Sequence, residues 1–421
     1  MKLLILAIML WPYNSFAMRD SLQKHFSAGL DELVTASLES NLSLKPAVLE
    51  RKMLDSRVDQ VNKQPSPMLE FMVDFLPVTF SHAGEYGLFY TQPLQLFGKT
   101  GANEQLAKKN TEWAGIMKKE IEYELIKSVK ENYFMLSVTE RMLDFNSEFQ
   151  EILEGITRSL EIRYSVGKGS QYEILKSNNE SQELILEEIE LRNNSRILIN
   201  NLRKLTNLDL SDSFKTRNTE ILRSIEPPIL DTAKLVSQLR ENNPELLYLE
   251  QKRSEAALQR NIAELEKDPE IILRSGYRYM PDAGESFLQF VIGVGLPFMP
   301  WNKRKIDAMV NEKMIEEEKA GAEIASAEWN LRNEMRNQLV KLNSALEKIK
   351  FYSDVLLPQA EQTFRASTIA YETASADFMN MLDSYRALRE NRQRYIVGQT
   401  EYLIRVAELE MLIGSQILTI N

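Results

Sequence analysis

The chain has 421 residues, a formal net charge of −10, 27% charged residues and no cysteine. Lys and Arg are scattered along it, so there is no basic footprint for nucleic acid, and with no cysteine for a disulfide or an N-terminal lipid, stability rests on packing. No segment after the N-terminal region holds 18 apolar residues in a row, which leaves strands closed into a barrel as the route across a bilayer.

Lys2 is followed by the apolar run LLILAIMLW and Pro12, and Ser15-Phe16-Ala17 places small residues at the −3 and −1 positions of a cleavage site. This predicts a secretory signal peptide over 1–17, because the apolar run falls short of the roughly 20 residues that span a bilayer. A first repeat is expected over 18–205. It opens with a helix over about 29–62, stopped before Pro65 and Pro67. MLEFMVDFLPVTF (68–80) then alternates, with Leu69, Phe71, Val73 and Phe75 on one face and Glu70 and Asp74 on the other. SHAGE (81–85) reads as a turn and 87–96 as the return strand. Next come a long helix over about 101–164, a tight turn at VGKGS (166–170), and a returning helix over about 170–205.

The polar segment 206–228, closed by Pro227-Pro228, reads as the connection between repeats. The second repeat, 229–421, has a helix over about 231–266 that stops before Asp268-Pro269. Strands follow at about 270–280 and 286–298, joined by PDAGE (281–285). On the latter strand Leu288, Phe290, Ile292, Val294 and Leu296 form an apolar face opposite Gln289, Gly293 and Gly295. Strands of about 10 residues with an apolar face and a small or polar one suit the wall of a water-filled barrel. Long helices are expected at about 303–371, kinked at Pro358, and at about 377–414. Between them TASAD (373–377) has no glycine, and Ser375 or Asp377 is the candidate cap.

The two repeats agree in order and spacing. Pro93, Phe97 and Lys99 align with Pro297, Trp301 and Lys303 at an offset of 204; Tyr164 and Leu175 align with Tyr371 and Leu382 at an offset of 207. Apolar residues recur at heptad spacing: Leu331, Met335, Leu339, Leu342, Leu346 and Ile349; Leu184, Leu191, Leu198 and Leu205; Leu388, Tyr395, Tyr402 and Leu409. Such spacing packs long helices side by side as coiled coils.

Catalytic chemistry is absent from the pattern. The two histidines, His25 and His82, fall in segments read as loops, outside any metal-ligand or triad spacing. Gly293-Val294-Gly295 lies in a strand and is no dinucleotide fingerprint. Met280, Met299, Met379 and Met381 read as adaptable packing. No cofactor, metal site or enzymatic activity is expected, which sets aside a secreted hydrolase. A periplasmic coiled-coil adaptor would share the helices but lack four strands of membrane length.

A signal peptide followed twice by helix, strand pair, long helix, tip and returning helix resembles the TolC-type outer-membrane factors. The resemblance is carried most specifically by YSVGKGSQYEIL (164–175), YETASADFMNMLDSYRAL (371–388), NNPEL (242–246) and AELEMLIG (407–414). It covers essentially the whole mature chain, and the second half is most similar to the heavy-metal-cation branch. The resemblance implies a mainly α fold with a transmembrane β part. Three protomers would build one 12-stranded barrel, continued by an α-helical coiled-coil barrel through the periplasm. It further implies an outer-membrane exit duct for efflux. The implied partners are two further copies of the chain, a periplasmic membrane fusion protein, an inner-membrane pump of the RND type and outer-membrane lipid. The family also includes outer-membrane channels of type I protein secretion, which remain the alternative.

By the same resemblance the adaptor-docking tips are Val166, Gly167, Lys168, Gly169 and Ser170 in the first repeat and Thr373, Ala374 and Ser375 in the second. Gly167 matches the family's tip glycine; Ala374 stands in its place in the second repeat and leaves the local turn conformation open. TolC-type channels ring their closed aperture with aspartates nine and twelve positions after the second tip aromatic. Counting from Tyr371 gives Asn380 and Asp383, so one acidic ring is expected instead of two. Asp383, Asn380 and Glu173 are the expected aperture residues.

Overall fold

The computed structural model describes residues 25–74, 84–217 and 231–417. The expected signal peptide, strand residues 75–80, the turn residues up to Ala83 including His82, and Pro227-Pro228 lie outside the described residues.

The chain begins with β1 (His25–Ala28), α1 (Leu30–Ser40) and α2 (Leu44–Val61). The strands β2 (Met68–Asp74) and β3 (Glu85–Leu94) lead into α3 (Lys99–Ser165), which returns as α4 (Gln171–Thr206) and ends in β4 (Leu210–Thr216). The second half runs α5 (Thr232–Asn242), α6 (Pro244–Leu265), β5 (Ile271–Met280), β6 (Glu285–Val294) and α7 (Pro300–Phe351). One turn of π-helix (Tyr352–Leu356) then joins α7 to α8 (Leu357–Glu372), and α9 (Phe378–Ile413) closes the chain. At 67 residues α3 is about 100 Å long.

Three expectations need correction. The helices expected over 29–62 and 231–266 are each two helices. In the second half Pro244 has no N–H to continue α5, so it opens α6 at its first turn, where Asn243 caps Leu246 N. In the first half Asn41 breaks the helix by accepting from Ser43 N through its own side chain at 2.8 Å. The two asparagines act alike across space: Asn41 Nδ2 donates to Leu205 O at 2.7 Å, and Asn243 Nδ2 donates to Leu412 O at 2.8 Å. The segment 206–228 is also more than a connection. Its residues Leu210–Thr216 form a strand that pairs in parallel with β1, so His25 lies in a strand and not in a loop. Leu210 and Phe214 point from β4 into the core. Finally, the kink expected at Pro358 is taken up one turn earlier by the π-turn, where Leu357 N donates to Tyr352 O.

The heptad residues pack where their spacing places them. Met335, Leu342, Ile349, Leu198, Tyr402 and Leu409 join Leu33, Val129 and Leu239 in one core around the β1–β4 pair. A second core lies nearer the helix turns and contains Phe149, Leu153, Leu184, Phe378, Leu382, Tyr385 and Leu388.

The remaining strands form one antiparallel sheet in the order β2-β3-β5-β6. Its register places Phe71, Leu88, Tyr277 and Leu288 in one row and Leu69, Tyr90, Ser275 and Phe290 in the next. Leu69, Phe71, Leu288, Phe290 and Ile292 are each about 70% exposed or more, so this face is apolar and uncovered by the chain itself. The opposite face carries Glu70, Glu85, Arg274 and Arg278. Arg278 pairs with the fully buried Glu85, and Arg274 pairs with Glu70 at 3.4 Å.

Candidate functional site

The α3–α4 and α8–α9 turns share one backbone scheme. In the first, Val166 N donates to Ile162 O (3.3 Å), Gly167 N to Tyr164 O (2.9 Å) and Lys168 N to Arg163 O (2.8 Å). In the second, Thr373 N donates to Ile369 O (2.9 Å), Ala374 N to Tyr371 O (3.1 Å) and Ser375 N to Ala370 O (2.8 Å). Each residue of the second set is its counterpart plus 207. The turn requires a left-handed residue, supplied by Gly167 at φ +75° and by Ala374 at φ +59°. The alanine thus keeps the glycine's conformation, because three backbone hydrogen bonds hold it there.

The caps differ in chemistry and agree in place. Ser170 Oγ accepts from Tyr172 N, and Glu173 Oε2 accepts from Ser170 N at 3.2 Å, a reciprocal capping box. In the second turn Asp377 Oδ1 accepts from Asn380 N at 2.9 Å. Of the two candidate caps Asp377 is the one used, and Ser375 instead donates to Ala370 O at 3.0 Å. Val166, Gly167, Lys168, Ser170, Thr373, Ala374 and Ser375 are exposed and Gly169 is half-buried, so the tips are open to a partner.

The tips are joined to each other. Tyr371 is buried, and its hydroxyl donates to Glu173 Oε2 at 3.3 Å. Arg163 lies across it, donating to Tyr371 O at 3.2 Å with its guanidinium carbon 4.5 Å from the ring centre. Burial, and then the Glu173 charge, raise the phenol above its ordinary range, so it stays a donor. Glu173 therefore serves as cap and cross-tip acceptor at once. Asn380 is exposed.

Asp383 is largely exposed and lies 3.8 Å from Arg386 in an i,i+3 ion pair. Arg386 in turn grips Glu180 of α4 with two hydrogen bonds, at 2.9 and 2.5 Å, and Arg389 adds an ion pair at 3.6 Å. The Glu180 side chain is 1% exposed. Glu180 raises the Arg386 guanidinium above its usual range, which secures its charge. Arg163, Glu180, Arg386 and Arg389 were not singled out in the sequence. The available signal was Glu180 itself: it stands four residues before Leu184, in the apolar seam of α4, where an unpaired carboxylate would be costly.

Beside the tips, α3 and α8 enclose an apolar groove of about 540 Å³ lined by Ile152, Ile156, Phe364, Ile369, Tyr371 and Met381. Among the described residues no group of three or more His, Cys, Asp or Glu could hold a metal ion, and no helix is long and apolar enough to cross a membrane.

Residues 235–415 match the family model described as outer membrane efflux protein. The cobalt-zinc-cadmium resistance protein CzcC of Cupriavidus metallidurans is 22% identical over 381 residues, covering 88% of this chain and 87% of that protein. Among solved structures, CusC superposes with a TM-score of 0.76 at 16% identity, covering 93% of this chain and 94% of its own. The open state of the MtrE outer membrane channel of Neisseria gonorrhoeae does so with a TM-score of 0.75 at 15% identity, over 92% of this chain and 89% of that one. These structural likenesses establish the fold.

Proposed function

We infer that this chain, an outer membrane efflux protein through its residues 235–415, is the passive exit duct of a tripartite efflux system. The observation that carries the reading is the four-stranded sheet. Its strands β3, β5 and β6 have 10 residues each, one face is apolar and exposed, the opposite face is charged, and among the described residues its edges β2 and β6 are unpaired. An open sheet with a lipid-facing surface is not viable in a bilayer until its edges close. Copies of the chain close it when β6 of one pairs with β2 of the next, and three copies give a 12-stranded barrel.

The helices that flank those edges support the same assembly. On α7 the residues Trp301, Ala308, Ile315, Ala322 and Trp329 recur every seven positions and are all exposed. Leu42, in the turn before α2, and Leu49 of α2 are exposed at the same spacing. Heptad stripes left bare on the two lateral helices are what a neighbouring protomer covers. The duct is then an α-helical barrel through the periplasm, with the tips at 166–170 and 373–375 meeting a membrane fusion protein and an RND-type pump. Energy comes from the pump, and the chain's own task is to hold and open a path.

The similarity to CzcC supports divalent transition-metal cations as the cargo class. Deleting the gene should raise sensitivity to such cations, and the purified protein should migrate as a heat-dissociable trimer from outer-membrane fractions and conduct in planar bilayers. Recovery of the protein as a soluble, non-conducting periplasmic species would overturn the reading.

A further inference from the structure

We propose that a cavity where β6 leads into α7 seats the headgroup of phosphatidylethanolamine from the periplasmic leaflet, its ammonium against Asp268 and Glu270 and its phosphate against Lys305; the proposal rests on the duct reading above. The cavity measures about 270 Å³, and its lining includes Asp268, Glu270, Leu296, Asn302 and Lys305. That is just below the roughly 300 Å³ at which small-molecule pockets begin, a size suited to a headgroup alone.

The sheet sets its depth. On β6 and just after it, Leu288, Phe290, Ile292, Val294, Leu296 and Phe298 fall at alternate positions and are all exposed. At the end away from the helices Tyr86 and Tyr279 share a row with Ser286, and tyrosine is the residue of a headgroup boundary. The chain from Ser286 to Leu296, at about 3.3 Å per residue and a tilt of about 40°, rises about 25 Å, the height of a barrel's apolar band. Leu296 thus lies at the opposite boundary, and it lines the cavity. The sheet ends at this level, where Gly295 N donates to Glu270 O at 2.8 Å, so side chains from both of its faces border the cavity.

The wall holds unmatched charges of both signs. Lys99 pairs with Glu266 at 3.4 Å, and Lys267 pairs with Asp307 at 3.7 Å. Among the described residues Asp268, Glu270 and Lys305 make no ion pair and no side-chain hydrogen bond. The first repeat shows how the same gap is otherwise closed. Lys63-Gln64-Pro65 corresponds to Lys267-Asp268-Pro269 at the offset of 204, and Gln64 accepts from Gln95 N at 2.8 Å and donates to Gln95 O at 3.1 Å. A carboxylate has no N–H to give, so Asp268 cannot repeat this pair of bonds. The cavity therefore belongs to the second repeat, one to a protomer.

Two carboxylates beside an ammonium fit a ligand that carries a cation and an anion close together. The primary ammonium of ethanolamine donates up to three charge-assisted hydrogen bonds to the carboxylates, and the adjoining phosphate accepts from Lys305 and Asn302. Phosphatidylcholine keeps the positive charge but has no N–H. Phosphatidylglycerol has no cation at all, and the carboxylates oppose its phosphate. It is favoured only by the exposed Lys303 and Arg304, which do not line the cavity.

The test is native mass spectrometry of the full-length oligomer, reconstituted with equal parts of these three phospholipids on the same dioleoyl chains and released into detergent. Phosphatidylethanolamine should be retained at least tenfold over the other two and saturate at one per chain. Asp268→Asn with Glu270→Gln should abolish the preference for ethanolamine over choline. Lys305→Gln should weaken retention of both lipids and keep the preference. Should a variant fail to assemble, the three-lipid comparison on the parent oligomer decides alone. Equal retention of the ethanolamine and choline lipids, stronger retention of phosphatidylglycerol, or a preference that survives the double variant overturns the headgroup site. A parent chain that yields no membrane-inserted oligomer overturns the duct reading instead.

Discussion

Phe89 lies flat across Gly276 of the adjacent strand: a Cβ built on Gly276 would fall 2.2 Å from the ring carbon Cδ1 and 2.8 Å from Leu88 O. The Arg274 guanidinium carbon lies over the same ring, 4.1 Å from its centre. The absent side chain is what lets a phenylalanine lie buried on the charged face of the sheet. Gly276→Ala should lift the ring off its seat at a cost of about 1–3 kcal/mol. The temperature at which the oligomer dissociates on a semi-native gel should fall. Gly293→Ala, where a new Cβ meets its nearest neighbour at an ordinary 3.6 Å, should leave that temperature unchanged.

Gly167 and Ala374 occupy the same left-handed position of the two tips, so exchanging them tests the turn directly. Gly167→Ala should destabilise the first tip by about 1 kcal/mol, since an L side chain pays roughly that in the left-handed region. Ala374→Gly should relieve part of the same cost, by about 1 kcal/mol at most. Hydrogen exchange at the amides of Lys168 and Ser375 reads each tip separately. Faster exchange after Ala374→Gly would show that the alanine is unstrained.

The elements most legible in the sequence were those with an internal period. Heptad spacing located Leu342, Leu184 and Tyr402 in the cores, and alternation identified Leu69 and Phe71 as one face of β2. What escaped was set by partners distant in the chain. β4 is polar at five of its seven positions, Ser211, Asp212, Ser213, Lys215 and Thr216, and becomes a strand because β1 lies beside it about 185 residues away in sequence. The break at Asn243-Pro244 was visible in the NNPEL motif itself, where proline after asparagine spells a cap as readily as a continuing helix. The Glu180–Arg386 pair joins α4 to α9 across 206 positions, and spacing along either helix carries no trace of the other.

Glu140 binds the end of β4, accepting from Thr216 N at 3.0 Å and from Thr216 Oγ1 at 2.6 Å. Burial raises its carboxyl above the ordinary value of 4.5, against the lowering effect of the Thr216 bonds. The folded state therefore holds this proton more tightly than the unfolded one. Stability from this group is complete below pH 4.5 and is lost as pH rises through the raised folded value. Glu140→Gln should remove that fall, flattening the dependence of Tm on pH above 4.5 while keeping one acceptor for Thr216. A variant whose Tm declines with pH as steeply as the parent's would place the titration elsewhere.

Asp383 is the expected aperture residue whose role is open to the clearest test, because its own contacts are few. It is exposed and reaches only the outer side of Arg386, which is already committed to Glu180 by two hydrogen bonds. Removing it costs the fold little, since an exposed ion pair contributes at most about 1 kcal/mol. Three copies about the axis of a trimer would form an acidic ring that favours cations. Asp383→Ala should thus leave assembly intact, lower cation selectivity in planar bilayers and weaken block by multivalent cations. Glu180→Gln makes the informative counterpart, because it loosens the Arg386 anchor while leaving the Asp383 charge in place. If the ring acts by charge, selectivity should fall in the first variant and persist in the second. Equal selectivity in both would leave Asp383 as an ordinary solvated carboxylate.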